Sequence, residues 1–125
     1  MAVTAQDVLK KAMDLMGEEN KYQSGYAPFL VEIVNYMLAD CFAVNNAYRE
    51  KEGKEPLTQI PLIEKAEDEV PYEYATIEAI MIHGLAYQLL FQDDEADKAN
   101  MEYTIYEQNK ARFSPAVYTD VINNY

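Results

Sequence analysis

The chain has 125 residues, half of them apolar and 26% charged, which suits one compact domain with a core of its own and argues against general disorder. Its 22 acidic residues outnumber its 10 basic ones, for a formal net charge of −12. That balance excludes a reader of duplex DNA, which needs a basic footprint, and disfavours docking on an anionic membrane surface.

Met1–Gln6 show no basic and apolar leader pattern. Thr4-Ala5-Gln6-Asp7 reads as a helix start, a hydroxyl cap with a carboxylate three residues on. Val8, Leu9, Ala12, Met13, Leu15 and Met16 follow at helical spacing, and Gly17 is a natural stop. The first predicted helix is therefore Ala5–Met16. A polar loop, Glu18–Gly25, leads to a second helix that starts near Pro28 and runs to about Lys51, ahead of Gly53. Its stripe is Leu30, Ile33, Val34, Met37, Cys41, Val44 and Tyr48. Phe29, Tyr36, Leu38 and Phe42 fall outside the stripe, so the apolar surface is wider than one packing face requires.

Glu52–Pro71 is a connector punctuated by Pro56, Pro61 and Pro71. Leu57, Ile60, Leu62 and Ile63 are expected to lie along the helices as an extended segment or a short strand. A third helix runs from Tyr72 or Tyr74 to Phe91. Its second half, from Ile80, is apolar almost all round, so it is buried on most sides, either centrally or by partner chains. The stretch Ile77–Phe91 is interrupted by Glu78, His83 and Gln88 and is too short to span a bilayer, which takes about 20 residues. After the break Gln92-Asp93-Asp94, a fourth helix runs from about Glu95 to Arg112, with acids at its start and Lys110 and Arg112 at its end. So short a connection makes the last two helices an antiparallel hairpin. Ser114-Pro115 ends the last helix, and a tail with Val117, Tyr118, Val121, Ile122 and Tyr125 follows. The expected fold is all-α: a four-helix, bundle-like domain over residues 1–113, with an extended connector between helices two and three, and a C-terminal arm over 114–125.

Catalytic motifs are missing. Gly17, Gly25, Gly53 and Gly84 stand too far apart for a phosphate loop. One histidine, His83, and one cysteine, Cys41, exclude an intrachain zinc site of the usual composition, and a di-iron bundle needs two Glu-x-x-His motifs. The lone cysteine also rules out an intrachain disulfide and fits a reducing compartment. Asp93-Asp94-Glu95-Ala96-Asp97 resembles the start of a calcium loop, but Lys98 stands where the glycine belongs and Thr104 where the closing Glu belongs, so helix capping is the better account. A carboxylate pair for hydrolysis has no signature beyond the abundance of acids. No enzyme activity, metal or cofactor is therefore expected. The plain reading of His83 is a hydrogen-bonded or half-exposed side chain; the sharper one is a pH-sensitive contact to a neighbouring chain. Cys41 reads as a small buried apolar residue. Gly84 costs about 1 kcal/mol inside a helix relative to alanine, so another helix is expected close against it.

Charge and tyrosine are the remaining anomalies. Between Glu64 and Glu107 there are 12 acids and only Lys65 and Lys98 as bases. This is either a solvated face or a surface that repels or imitates nucleic acid. There are 11 tyrosines and no tryptophan. Tyr103 and Tyr106 share a face of the fourth helix with Ala96 and Ala99, while Met101 and Ile105 occupy another, which reads either as contacts on both sides of that helix or as ordinary core packing in a small bundle.

Val70-Pro71-Tyr72, Gly84-Leu85-Ala86, the acidic break Asp93-Asp94-Glu95 with Ala96 and Ala99, then Tyr103 and Tyr106 together resemble the C-terminal half of the head–tail adaptor (head-completion or connector) proteins of tailed bacteriophages. The resemblance covers about Ile60–Phe113. It implies a non-enzymatic α-helical subunit that assembles as a homo-oligomeric ring between the portal protein and a tail or second connector protein. The ring would extend the channel through which DNA passes without sequence-specific binding. The location it implies is the virion neck, after synthesis in the bacterial host cytoplasm. By the same resemblance, residues 114–125 would be the arm that reaches the portal, and Tyr103, Tyr106, Val117, Tyr118, Val121, Ile122 and Tyr125 the contact residues. The alternative is an acidic inhibitor that mimics DNA, or another small helical binding module.

Overall fold

The structure, a computed structural model, describes residues 2–17 and 26–113. It is all-α. Helix α1 spans Ala5–Met16, α2 spans Ala27–Asp40 and α3 spans Phe42–Lys51. Helix α4 is continuous over residues 74–92, and α5 spans Ala96–Phe113. No β-strand forms among the described residues; one isolated antiparallel bridge joins Thr4 to Glu69.

The α1 start is closed as its sequence dictates. Thr4 Oγ1 accepts from Asp7 N–H at 3.1 Å, and Asp7 Oδ2 accepts from Thr4 N–H at 3.0 Å. The free amides of Ala5 and Gln6 donate to the carbonyls of Asp68 and Ala66, so the connector finishes the cap. Gly17 ends the helix in the left-handed region, φ 76°.

The expected single helix from Pro28 to Lys51 is two. The chain breaks at Cys41, and α2 and α3 meet at a bend of 56°. Leu38, outside the predicted stripe, is buried beside Val34, Met37 and Cys41, one helical turn after Val34, and Phe42 packs against that core after the break. Phe29 and Tyr36 stay exposed.

The connector forms no regular strand. Three asparagines hold it. Asn35 and Asn46 each use both ends of the carboxamide on one connector backbone unit, that of Ile63 and Leu57 respectively, at 2.8–3.0 Å. Asn45 Oδ1 accepts from Glu73 N–H at 2.9 Å, just before α4 begins. Ile63 is buried, whereas Ile60 and Leu62 point to solvent.

Helix α4 is the centre. It opens with the α turn Tyr74–Thr76, widens to a π turn over Ile77–Met81, and continues as regular helix over Ile82–Gln92. Ile77, Ile80, Met81, Ile82, Leu85, Ala86, Leu89 and Leu90 are all buried, against α1 and α2 on one side and α5 on the other. Each such large side chain contributes about 1.5–3 kcal/mol when removed from water. The wide turn lets three consecutive residues, Ile80–Ile82, face inward, and within it the Ala79 carbonyl accepts from Asn109 of α5 at 2.6 Å. Gln92 leads into a two-residue turn with Asp94 at φ 59°, and α5 returns antiparallel to α4.

Candidate interface

Gly84 sets how closely α5 approaches α4. A Cβ placed there would lie 2.6 Å from Cε1 of Tyr106 and 2.7 Å from Sδ of Met37. The helix expected to press on this glycine is therefore the chain's own α5, with α2 behind it.

Tyr106 is consequently not a partner contact. It is 1% exposed. Its hydroxyl donates to Asp40 Oδ2 at 2.6 Å and lies 3.4 Å from Cys41 Sγ. Lys110 Nζ also reaches Asp40 Oδ2, at 2.8 Å, and pairs with Glu107 at 3.1 Å. Together these groups clamp the α2–α3 bend onto α5. Burial alone would raise the pKa of Asp40, but hydrogen bonds from Lys110 and Tyr106 outweigh it and hold the carboxyl below the usual carboxylate value. Burial would likewise lower Lys110, and its bonds to Asp40 and Glu107 reverse that and raise it. Burial pushes the Cys41 thiol up to about 11, so Cys41 is a core residue and not a nucleophile.

Tyr103, three residues before Tyr106, is 42% exposed. It sits at the edge of an aromatic face built by α2, α4 and α5. The Tyr87 ring is its hub, with centroids 5.0 Å from Tyr103 and 6.2 Å from Phe91, both edge-on. Phe29, Ile33 and Tyr36 line the α2 side at i, i+4, i+7 spacing, with Phe29 and Tyr36 exposed. Glu32, Ile33, Tyr36 and Gln88 bound a shallow hollow of about 430 Å³ on this face.

A second apolar face lies on the other flank of α5. Met101, 67% exposed, stands two residues from Tyr103, about 200° around the helix. Leu15, Met16, Leu90, Lys98, Met101 and Glu102 surround a hollow of about 290 Å³ there. Leu15 is exposed and Leu90 buried. Glu102 is tied inward, its Oε1 2.6 Å from His83 Nδ1. His83 thus has its hydrogen-bond partner within the chain.

The two faces follow from how α5 is held. It rests on α4 along its length and on α3 near its C-terminus, where Phe113 stacks on Tyr48 at 5.4 Å. Among the described residues, both of its flanks carry exposed apolar side chains, Tyr103 on one and Met101 on the other. Val117, Tyr118, Val121, Ile122 and Tyr125 lie outside the described residues. The sequence-based choice of Tyr103 and Tyr106 as a pair missed Tyr36, Tyr87, Phe91 and Leu15. For Tyr36 the signal existed: it and Phe29 stand outside the α2 stripe.

Among the described residues no three His, Cys, Asp or Glu side chains converge to hold a metal ion. The acidic turn at residues 93–97 closes through its backbone: the Asp93 N–H donates to the Leu89 carbonyl at 3.1 Å and the Glu95 N–H to the Leu90 carbonyl at 2.9 Å, while the Asp93 carboxylate accepts from the Tyr26 hydroxyl. No single described helix is long and apolar enough to cross a membrane. Comparison with protein-family models, with curated proteins and with solved structures finds no match for this chain.

Proposed function

We propose that this chain is a structural ring subunit of the head–tail adaptor kind, joining a portal protein to the tail and extending the DNA channel at the virion neck. One observation carries the reading beyond the sequence resemblance: two separate apolar faces lie on opposite flanks of α5. A two-fold dimer needs one self-complementary patch, whereas a closed ring needs two different patches on each subunit. The excess of acids over residues 64–107 suits a channel wall, since phosphate repulsion lets DNA slide instead of sticking. The function is binding, without chemistry.

The experiment is co-sedimentation of the purified chain with portal-bearing particles that lack a neck, alongside a variant truncated before Pro115. The full chain is expected to join the particles. The truncated chain is expected to keep its helical spectrum and fail to join. A full chain that never joins, and forms instead a salt-sensitive one-to-one complex with a basic protein, would establish the acidic-inhibitor alternative. Normal docking by the truncated chain would remove the arm from the reading.

A further inference from the structure

We infer that the aromatic face of one copy receives the Met101 face of the next, with Met101 entering the hollow beside Tyr36 and Lys98 meeting Glu32. This names the subunit contact of the ring reading and rests on it.

The two faces complement each other in shape. Met101 stands out from α5 at 67% exposure, and the aromatic face offers the hollow between Glu32, Ile33, Tyr36 and Gln88. A thioether against tyrosine rings is a favourable contact, and methionine adapts to an irregular hollow. They complement each other in charge as well. Lys98 precedes Met101 by three residues and shares its side of α5; it is a lining residue of that face, and although its ammonium reaches Glu95 Oε1 at 3.4 Å, 60% of its side chain stays exposed. Glu32 precedes Tyr36 by four residues, shares its side of α2 and is exposed. Pairing the aromatic face with itself would set Glu32 against Glu32, and Lys110, the cation nearest on that flank, is already bound to Asp40 and Glu107. On the Met101 face the acid beside Lys98 is Glu102, which is already tied to His83. The unlike pairing brings Lys98 to Glu32. Because the faces lie on opposite flanks of α5, each copy keeps one free face after docking, so the contact can repeat from copy to copy, as a ring requires.

The test uses full-length chains carrying one added thiol each, Ala39→Cys beside Tyr36 or Asp97→Cys beside Met101, and a short bismaleimide crosslinker. Both positions are exposed, and the native Cys41 is buried. Neither single variant alone is expected to give crosslinked dimer, their mixture is, and a chain with both thiols is expected to give a ladder. Glu32→Lys in the Ala39→Cys partner should cut the yield about fivefold, and Lys98→Glu in the Asp97→Cys partner should restore it. Dimer from either single variant as abundant as from the mixture, or no dimer from the mixture, overturns the contact. Particles that accept the chain while the mixture stays uncrosslinked sink this contact and leave the adaptor reading standing. A crosslinked ladder from a chain that never joins particles does the reverse.

Discussion

Replacing Gly84 by alanine opposes two effects of known size. Alanine in a helix interior is favoured over glycine by about 1 kcal/mol. Against that, the new methyl carbon would stand 2.6 and 2.9 Å from two carbons of the Tyr106 ring and 2.7 Å from Met37 Sδ, where ordinary contact distance is about 3.5–4.0 Å. Met37 can swing its thioether aside. Tyr106 cannot easily retreat: it is fully buried, its ring packs 5.6 Å from Tyr87, and its hydroxyl is bonded to Asp40. Moving the ring by about 1 Å means overpacking, at about 1–3 kcal/mol, or giving up a hydrogen bond to a charged acceptor, at about 1.5–3 kcal/mol. Gly84→Ala is therefore expected to destabilise the chain by about 1 kcal/mol net, a fall of roughly 3–5 °C in melting temperature for a chain of this length. Urea denaturation followed by far-ultraviolet circular dichroism measures it, with an unchanged m value as the check on two-state behaviour. The source of the clash is tested in a Tyr106→Leu background, where the alanine penalty should shrink toward zero. An alanine variant as stable as the parent, or a penalty of the same size with Tyr106 removed, would refute the account of the α4–α5 contact.

The remaining predictions concern pH and thiol chemistry. Hydrogen bonds and charge from Lys54 and Arg49 hold the Glu73 carboxyl below its usual value, against a smaller opposing effect of burial. Asp40 is also depressed. A carboxyl depressed in the folded state adds stability that is full above its unfolded pKa, about 4, and is lost as pH falls through the folded value. The melting-temperature gap between the parent and Glu73→Gln should therefore be widest near neutral pH and narrow as pH falls below about 4; a gap that does not change with pH would contradict the assignment. Cys41, buried with its thiol raised to about 11, should resist a maleimide in native buffer and react fully in denaturant. Rapid stoichiometric labelling of the native chain would show that the α2–α3 bend opens readily.

Where order was legible in the sequence, the cause was local. Thr4, Asp7 and Gly17 delimit α1 through bonds made within four residues. The turn after Gln92 ends α4 with backbone bonds to Leu89, Leu90 and Phe91, and Gly84 announces a close neighbour because little else justifies a glycine there. Where the expectation failed, the cause was distant. Nothing between Leu38 and Val44 breaks a helix by propensity; the bend at Cys41 is held from α5, by Tyr106 and Lys110 on Asp40, 66 and 70 residues away in sequence. The π turn over Ile77–Met81 is silent for the same reason, since an apolar run does not show that three adjacent residues must all face inward. The asparagine straps were equally unreadable, because a carboxamide that pairs with a backbone 28 residues on looks like any polar residue on a helix. Tyr103 and Tyr106 illustrate the limit for sites. Spacing put both on one side of α5, but which of them lies over the glycine is set by the position of α4, and that decides which is core and which is surface.

Burial around the bend also bears on how much apolar surface is left over. Leu38, one turn after Val34, is buried within α2, and beyond the break at Cys41 Phe42 packs on the same core, so the width of that face by itself no longer argues for partners. Among the described residues, what remains uncovered is Ile60 and Leu62 on the connector, Tyr74 at the start of α4, and a larger group beside α5. Helix α5 has α4 beneath it and α3 at one end, and a helix held mainly along one line shows two flanks; here the neighbouring residues on one flank are Tyr36, Phe91 and Tyr103, and on the other Leu15 and Met101. Two more helices of this chain could have filled those grooves, and α2 and α1 run past them carrying Tyr36 and Leu15 outward instead. The exposed apolar side chains beside α5 thus form two groups, one on each of its flanks. That is why the contact proposed between copies is confined to them, and why a charge reversal at Glu32 or Lys98 should act on assembly without touching the fold.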